Sequence, residues 1–127
     1  MEKDKVYILL VEDDTFLASI YQKKFEMEGF KISVADNGEK GLLDAKKKKP
    51  SLVLLDILLP KMDGFGVLER LKADPETKDI PVVLLTNLGQ KDDVEKGLEA
   101  GAVDYLIKAH FKPSEIVERV KQILHID

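Results

Sequence analysis

The stretch Leu52-Val53-Leu54-Leu55-Asp56-Ile57 contains a single polar residue, the carboxylate Asp56. A short, continuous run of Val, Leu and Ile is typical of a parallel strand that is buried on both faces. Similar short runs lie at Val6–Val11, Ile32–Ala35, Val82–Leu85 and Tyr105–Ile107. These five runs therefore predict five strands of one parallel sheet.

The segments between the runs carry apolar residues at helical spacing. In the first segment Leu17, Ile20, Tyr21 and Phe25 follow the i, i+3, i+4, i+8 pattern, and Gly29 comes where a helix would end. The apolar positions of the later helices are Leu42 and Ala45; Val67, Leu68 and Leu71; Val94, Leu98 and Ala102; and Ile116, Val117, Val120, Ile123 and Leu124. Five strands alternating with five helices predict an α/β fold, a doubly wound parallel sheet covered by helices on both faces.

Length and composition indicate one folded domain that spans residues 1–127. Of the 127 residues, 44% are hydrophobic and 35% are charged, which is enough apolar surface to bury a core. The net charge of −4 argues against binding of nucleic acid through a broad basic surface. The absence of cysteine excludes disulfides and thiolate metal sites. No apolar run approaches the ~20 residues of a membrane span, so we expect a cytoplasmic protein that does not bind a membrane.

Polar side chains stand at the predicted carboxyl ends of four strands. The first strand runs into Glu12-Asp13-Asp14, the third ends at Asp56, the fourth ends at Thr86-Asn87 and the fifth at Lys108. In an open α/β sheet the binding site lies beyond this edge, near the point where the strand order reverses. The sequence therefore predicts that carboxylates, a hydroxyl group and an ammonium group meet at one site.

Closely spaced carboxylates favour a bound divalent cation. Each carboxylate raises the free-energy cost of ionising its neighbour, and a hard cation with oxygen ligands removes that cost. Mg²⁺ commonly binds one or two carboxylates together with water and phosphate oxygens. An ionised aspartate beside Mg²⁺ can attack phosphorus, while Lys108 neutralises charge on the transferred group and Thr86 donates a hydrogen bond to it.

Other phosphate chemistries lack their motifs in this sequence. A GxxxxGK[ST] loop and a GxGxxG turn are both absent, so a P-loop and a dinucleotide fingerprint are excluded. A haloacid-dehalogenase-like phosphatase needs a second aspartate two residues after the nucleophile, where this chain has Leu58. That class of enzyme is therefore excluded as well.

Taken together, the motifs at the strand ends resemble those of response-regulator receiver domains. They follow in the order and spacing of that family, over essentially all of the chain. The residues that carry the resemblance are Val11-Glu12-Asp13-Asp14, Leu55-Asp56-Ile57, Pro60-Lys61-Met62-Asp63-Gly64, Leu85-Thr86 and Tyr105-Leu106-Ile107-Lys108. The resemblance implies a flavodoxin-like sheet with the strand order 2-1-3-4-5. It also implies a signalling switch that catalyses only its own phosphorylation and dephosphorylation.

The resemblance assigns chemical roles to the matching residues. Asp56 is the implied phosphoacceptor, and the phosphohistidine of a histidine kinase or a phosphotransfer protein is the implied donor. The implied ligands of Mg²⁺ are Asp13, Asp56, the backbone carbonyl of Leu58 and, through water, Glu12. The implied phosphate contacts are Thr86, Lys108 and the backbone of Asn87.

The resemblance also implies how the signal leaves the domain. Thr86 moves toward the phosphoryl oxygens, and Tyr105 repacks into the space that it vacates. The fourth helix, fifth strand and fifth helix then form an altered output face. This face would control a downstream target protein or a fused output domain, and it would support a phosphorylation-dependent homodimer.

Two neighbouring loops depart from the family pattern. Asn87 stands where the family has a small residue, and we expect its side chain to narrow access to Asp56. Ala109 follows Lys108 where proline with a cis peptide bond is common. A cis bond before alanine costs roughly 3 kcal/mol, so this peptide is either trans or strained.

Two leucines form a further departure. Leu58 and Leu88 occupy positions at which family members that lose phosphate quickly carry polar side chains. Leucine shields the phosphate and cannot orient an attacking water molecule. We therefore predict a comparatively long-lived phosphate on Asp56.

Several functional alternatives stay open from sequence alone. The chain fits a stand-alone adaptor that binds a target protein, and it also fits the receiver half of a larger transcription factor or enzyme. A pseudo-receiver that works without phosphorylation is disfavoured by the complete acidic set. A metal-dependent phosphatase is the remaining enzymatic alternative, and turnover of a phosphomonoester would distinguish it.

Overall fold

The computed structural model describes residues 5–126, and within them the predicted alternation of strands and helices is confirmed. The strands are β1 (Tyr7–Val11), β2 (Lys31–Ala35), β3 (Leu52–Leu55), β4 (Val82–Thr86) and β5 (Asp104–Ile107). The α-helices are α1 (Thr15–Met27), α2 (Gly38–Lys48), α3 (Gly64–Ala73), α4 (Lys91–Glu99) and α5 (Pro113–Ile123). A short 3-10 turn, Lys108–His110, separates β5 from α5.

The five strands form one parallel sheet in the order β2-β1-β3-β4-β5, as predicted. In the centre of the sheet the register places Val11 beside Leu55, and Leu55 beside Leu84. Strand β3 ends at Leu55, one residue before Asp56. The strand order reverses between β1 and β3, so Glu12 and Asp56 leave the sheet side by side.

Helices cover both faces of the sheet, which explains the continuous apolar runs. Along β1 the side chains alternate, because Ile8 and Leu10 belong to one buried cluster and Leu9 and Val11 to the other. The first cluster contains the buried faces of α1 and α5. The second contains Ala45 of α2 and the buried apolar residues of α3, Val67, Leu68 and Leu71. The sheet is therefore anchored from both sides, and its carboxyl edge is left open for a site.

Helix α4 does not pack as the sequence predicted. Leu98 is 46% exposed, Val94 is half-buried, and Ala102 lies beyond the end of the helix. The buried residue of α4 is Gly97, and a Cβ atom there would lie 2.5 Å from Cδ1 of Leu84. The helix thus approaches the sheet through a glycine. Because glycine has no side chain, a pattern of apolar residues cannot predict this contact.

Between residues 5 and 126, none of the helices combines the length and the apolar character that a bilayer crossing requires.

Candidate functional site

Three charged residues, each directly after β1, β3 or β5, meet at the carboxyl edge of the sheet. The Nζ atom of Lys108 donates a hydrogen bond of 2.7 Å to Oδ2 of Asp56 and a second hydrogen bond to Oε1 of Glu12. Lys108 is 96 residues from Glu12 and 52 from Asp56 along the chain. The predicted convergence of carboxylates and an ammonium group is therefore present in the fold.

The carboxylates are close enough to share a cation. Glu12, Asp13 and Asp56 each offer an oxygen atom, and these atoms lie within 4.8 Å of one another. Glu12 and Asp56 are buried, whereas Asp13 is exposed, so the cluster opens to solvent on the side of Asp13. The donors are all oxygen atoms, which is the set that a hard cation such as Mg²⁺ prefers. The residues present therefore fit the predicted metal.

Backbone groups fix the orientation of the Asp56 carboxylate. Its Oδ1 atom accepts hydrogen bonds from the backbone N–H groups of Ile57 (2.7 Å) and Leu58 (3.4 Å). Its own backbone N–H donates to the carbonyl of Val11 (3.1 Å), which ties it to β1. The Asp56 side chain is 7% exposed. The Leu58 side chain projects into solvent. Binding of the metal by the Leu58 backbone carbonyl stays a prediction.

Burial and pairing act in opposite directions on the charged groups of the site. Burial raises the pKa of Glu12, although hydrogen bonds from Lys108 and from the backbone of Asp14 oppose this effect. Burial lowers the pKa of Lys108, but the hydrogen bonds to Asp56 and Glu12 outweigh it, and the net pKa is raised. Lys108 therefore stays charged and acts as an internal counter-ion for two carboxylates.

The predicted switch residues are linked through the loop that follows β4. Thr86 is completely buried, and its Oγ1 atom accepts a hydrogen bond of 3.3 Å from the backbone N–H of Leu88. The hydroxyl group of Tyr105 donates to the carbonyl of the same Leu88. Burial raises the pKa of Tyr105 to about 12, so its hydroxyl stays a donor at neutral pH. The loop thus connects the strand-end threonine with the tyrosine of β5.

The side chain of Asn87 contacts the turn that follows β5, and its predicted effect on access to Asp56 stays a prediction. Its Oδ1 atom accepts a hydrogen bond of 3.0 Å from the backbone N–H of Ala109, and among the described residues no hydrogen bond joins it to Asp56. No peptide bond between residues 5 and 126 is cis, so the Lys108–Ala109 bond is trans. Of the two alternatives that the sequence left open for this peptide, the trans bond is the one present.

Gly64, which the sequence analysis placed in one of the motifs shared with receiver domains, supports the site. Asp63 caps α3 by accepting a hydrogen bond from the backbone N–H of Gly66. The backbone N–H of Gly64 donates to the carbonyl of Ile57, and a Cβ atom on Gly64 would lie 2.2 Å from the carbonyl oxygen of Asp56. Only glycine fits so close to the backbone of Asp56. The sequence signal for this close approach was the glycine at the first position of α3.

The fold and the site define a class of α/β proteins whose binding site contains carboxylates and a lysine at a strand-order reversal. A family model for the response regulator receiver domain matches residues 8–121. The chain belongs to the response regulator receiver domain family. Its members are signalling switches of two-component systems.

Curated relatives include regulators of transcription. The DNA-binding dual master transcriptional regulator RpaA of Synechocystis sp. is 42% identical over 117 residues, which are 92% of this chain and 48% of that protein. The probable transcriptional regulator ycf27 of Pyropia yezoensis is 40% identical over 124 residues, or 98% of this chain and 49% of that protein. The chain thus spans about half the length of the curated relatives it matches.

Solved structures agree with the assigned fold. A putative response regulator from Chloroflexus aurantiacus superposes with a TM-score of 0.87 at 37% identity, over 94% of this chain and 98% of that one. A CheY-like response regulator receiver domain protein from Methanospirillum hungatei gives a TM-score of 0.88 at 28% identity, over 94% of each chain. Both similarities extend across the sheet and its helices.

Proposed function

We propose that the protein accepts a phosphoryl group on Asp56 from the phosphohistidine of a histidine kinase or a phosphotransfer protein, in a reaction that depends on Mg²⁺. The observation that carries this proposal is the contact of Lys108 with Asp56 beside the cluster of Glu12 and Asp13. In this function the protein catalyses only its own phosphorylation and dephosphorylation. Convergence of the acidic set counts against a pseudo-receiver.

The proposed transfer needs no external base. A carboxylate oxygen of Asp56 attacks phosphorus, the P–N bond of the donor breaks, and its electron pair returns to the imidazole nitrogen. Lys108, the hydroxyl of Thr86 and the backbone N–H of Asn87 would bind the phosphoryl oxygens.

The metal has a defined place in this proposal. Asp13, Asp56, the carbonyl of Leu58 and, through water, Glu12 would hold Mg²⁺, which when bound neutralises negative charge on the transferred group. The backbone hydrogen bonds at Oδ1 of Asp56 keep the carboxylate directed toward this cluster before transfer.

Signal output would follow from a change in the loop after β4. Thr86 contacts Leu88 in the structure described here, and Leu88 contacts Tyr105. A phosphoryl group that attracts the Thr86 hydroxyl would disturb both contacts and shift the face formed by α4, β5 and α5. This face would then bind a partner, or a second copy of the chain, with a changed affinity.

We favour a fused output domain over a stand-alone adaptor, because the matched transcriptional regulators are about twice as long as the matched segment. On family membership we also place the domain in the cytoplasm, with contacts to proteins rather than directly to nucleic acid or membrane. The cognate kinase and target would be identified by phosphotransfer and binding assays.

Incubation with acetyl phosphate and Mg²⁺, followed by intact-mass measurement, tests the proposal. We expect a labile gain of about 80 Da, one phosphoryl group, in the wild type and none in Asp56→Asn. Asp36→Asn is the matched control, because Asp36 is an exposed carboxylate just after β2 that does not belong to the cluster. An adduct that persists in Asp56→Asn, or that forms equally well in a chelator, would refute the proposal.

A further inference from the structure

The side chain of Asn87 joins two loops that both border the site. Its Oδ1 atom accepts the hydrogen bond of 3.0 Å from Ala109, the residue that follows Lys108. This bond exists because the residue after Lys108 has a backbone N–H group, which a proline would lack. The two departures from the family pattern thus meet in one contact.

Apart from the ion pairs of the Lys108 side chain with Glu12 and Asp56, the turn that carries Lys108 has little other support. Lys108–His110 is a 3-10 turn without a buried residue, and Ala109 and His110 are exposed. The turn is closed by a hydrogen bond of 3.3 Å from the N–H of Phe111 to the carbonyl of Lys108, which is slightly longer than the usual range for such a bond. The bond from Asn87 therefore comes from outside the turn, at the residue directly after Lys108.

Residues of the loop after β4 thus have contacts in two directions. The Asn87 side chain holds the turn after β5, and the carbonyl of Leu88 accepts the hydrogen bond from Tyr105 within β5. The pairing of β4 with β5 ends at Thr86 and Ile107. Beyond that point the side chain of Asn87 still connects the loop after β4 to the turn after β5. This contact is made at Ala109, the residue next to Lys108.

We propose that Asn87 is a positioning residue. Its side chain fixes the trans turn after β5, so that the Lys108 ammonium group stays in place at Asp56. This role differs from the phosphate contact assigned to the Asn87 backbone. It rests on the proposed function, because its consequence is the rate at which Asp56 takes up a phosphoryl group.

Two substitutions at position 87 separate the effect of losing the hydrogen-bond acceptor from the effect of changing the side-chain size. Asn87→Leu keeps a similar volume and removes the acceptor, whereas Asn87→Asp keeps an acceptor for the N–H of Ala109. We expect Asn87→Leu to speed hydrogen exchange of the Ala109 amide in the unphosphorylated protein, measured by NMR, and Asn87→Asp to preserve its protection. With acetyl phosphate and Mg²⁺, Asn87→Leu should be phosphorylated roughly two- to tenfold more slowly, the range expected for one lost hydrogen bond.

Asn37→Leu is the matched control. Asn37 also accepts a backbone hydrogen bond, of 2.9 Å from Lys40, at the start of α2 and away from Lys108. Its loss should lower thermal stability while phosphorylation proceeds at the wild-type rate. A double-mutant cycle adds a further test, because Asn87→Leu should slow phosphorylation no further in an Ala109→Pro background, where the donor is already missing.

The outcomes distinguish this proposal from the proposed function. A wild-type protein that takes up no phosphoryl group would overturn both the proposed function and the effect on rate. An Ala109 amide that keeps its protection in Asn87→Leu would overturn the positioning role alone. The same conclusion would follow if Asn37→Leu slowed phosphorylation as much as Asn87→Leu, or if the Asn87→Leu and Ala109→Pro effects were fully additive.

Discussion

Lys108 controls the electrostatics of the site, because its ammonium group is shared by Glu12 and Asp56. Lys108→Met keeps the length of the side chain but leaves two buried carboxylates without a counter-ion. Breaking a buried ion pair by removing one partner is strongly destabilising, so we expect the free energy of unfolding without Mg²⁺ to fall by about 3 kcal/mol. Urea unfolding in a chelator, followed by circular dichroism, measures this change.

Two further variants separate the loss of charge pairing from the loss of side-chain packing as causes of the lower stability of Lys108→Met. Glu12→Gln in the Lys108→Met background removes one of the unpaired charges, and this double variant should be more stable than Lys108→Met. Lys91→Met is the surface control, because the Lys91 side chain is 87% exposed and lies 3.9 Å from Glu95. Its unfolding free energy should stay within about 0.5 kcal/mol of wild type. Equal unfolding midpoints for the two methionine variants would contradict the electrostatic role of Lys108.

We expect the lifetime of the phosphorylated state to depend on two side chains, those of Leu58 and Leu88. Leu58 is 61% exposed and Leu88 is half-buried, and neither side chain can bind a water molecule through a hydrogen bond. We expect Leu58→Asn/Leu88→Glu to lose phosphate about fivefold faster or more, since a polar group can then orient the attacking water. Decay of the intact-mass adduct measures the rate, with Leu58→Val/Leu88→Met as the apolar control. A rate equal to or below that of wild type would refute this explanation.

Among the elements, the strands are predicted best and α4 is predicted worst. A buried parallel strand leaves a continuous apolar run, and the rule that sites form at strand carboxyl ends then brings Glu12, Asp56 and Lys108 together. Helix α4 contacts the sheet through Gly97, and hydropathy cannot indicate a contact made by a missing side chain. The bond between Asn87 and Ala109 was equally invisible, because it depends on the path of the backbone after β5.

Gly97→Ala tests the packing of α4. Its Cβ atom would lie 2.5 Å from Leu84 and 3.1 Å from the Tyr105 ring. Alanine gains about 1 kcal/mol of helix propensity, but overpacking a core costs about 1–3 kcal/mol, so we expect a net loss of stability in urea unfolding. Gly66→Ala in α3 is the control, because its Cβ atom would meet only side-chain atoms, of which the nearest belongs to the flexible Met62 at 3.2 Å, followed by Arg70 at 3.5 Å and Asp63 at 3.7 Å. Equal stability of the two alanine variants would disprove the close contact at Gly97.

At the scale of the whole molecule, a bound cation links the site to folding. The carboxylates of Glu12, Asp13 and Asp56 come together only in the folded chain, so Mg²⁺ should bind the folded state preferentially. Such binding stabilises by about 2.7 kcal/mol when the ligand is at a hundred times its Kd. We expect Mg²⁺ to raise the Tm of the wild type and to raise that of Asp13→Asn much less, as measured by calorimetry.

In a chelator, Asp13→Asn should be at least as stable as wild type, because the substitution relieves repulsion between carboxylates. Asp36→Asn serves again as the control and should keep the full response to Mg²⁺. An undiminished response in Asp13→Asn would mean that the ion binds elsewhere on the molecule.

The ammonium group of the site comes from the turn that follows the fifth strand, whereas its carboxylates belong to the first half of the chain. Because a protein is synthesised from its N-terminus, Glu12 and Asp56 leave the ribosome well before Lys108 does. A nascent or prematurely terminated chain therefore holds its acidic groups without their internal partner. Under the proposed function, phosphorylation of Asp56 therefore awaits the synthesis and folding of the segment that carries Lys108.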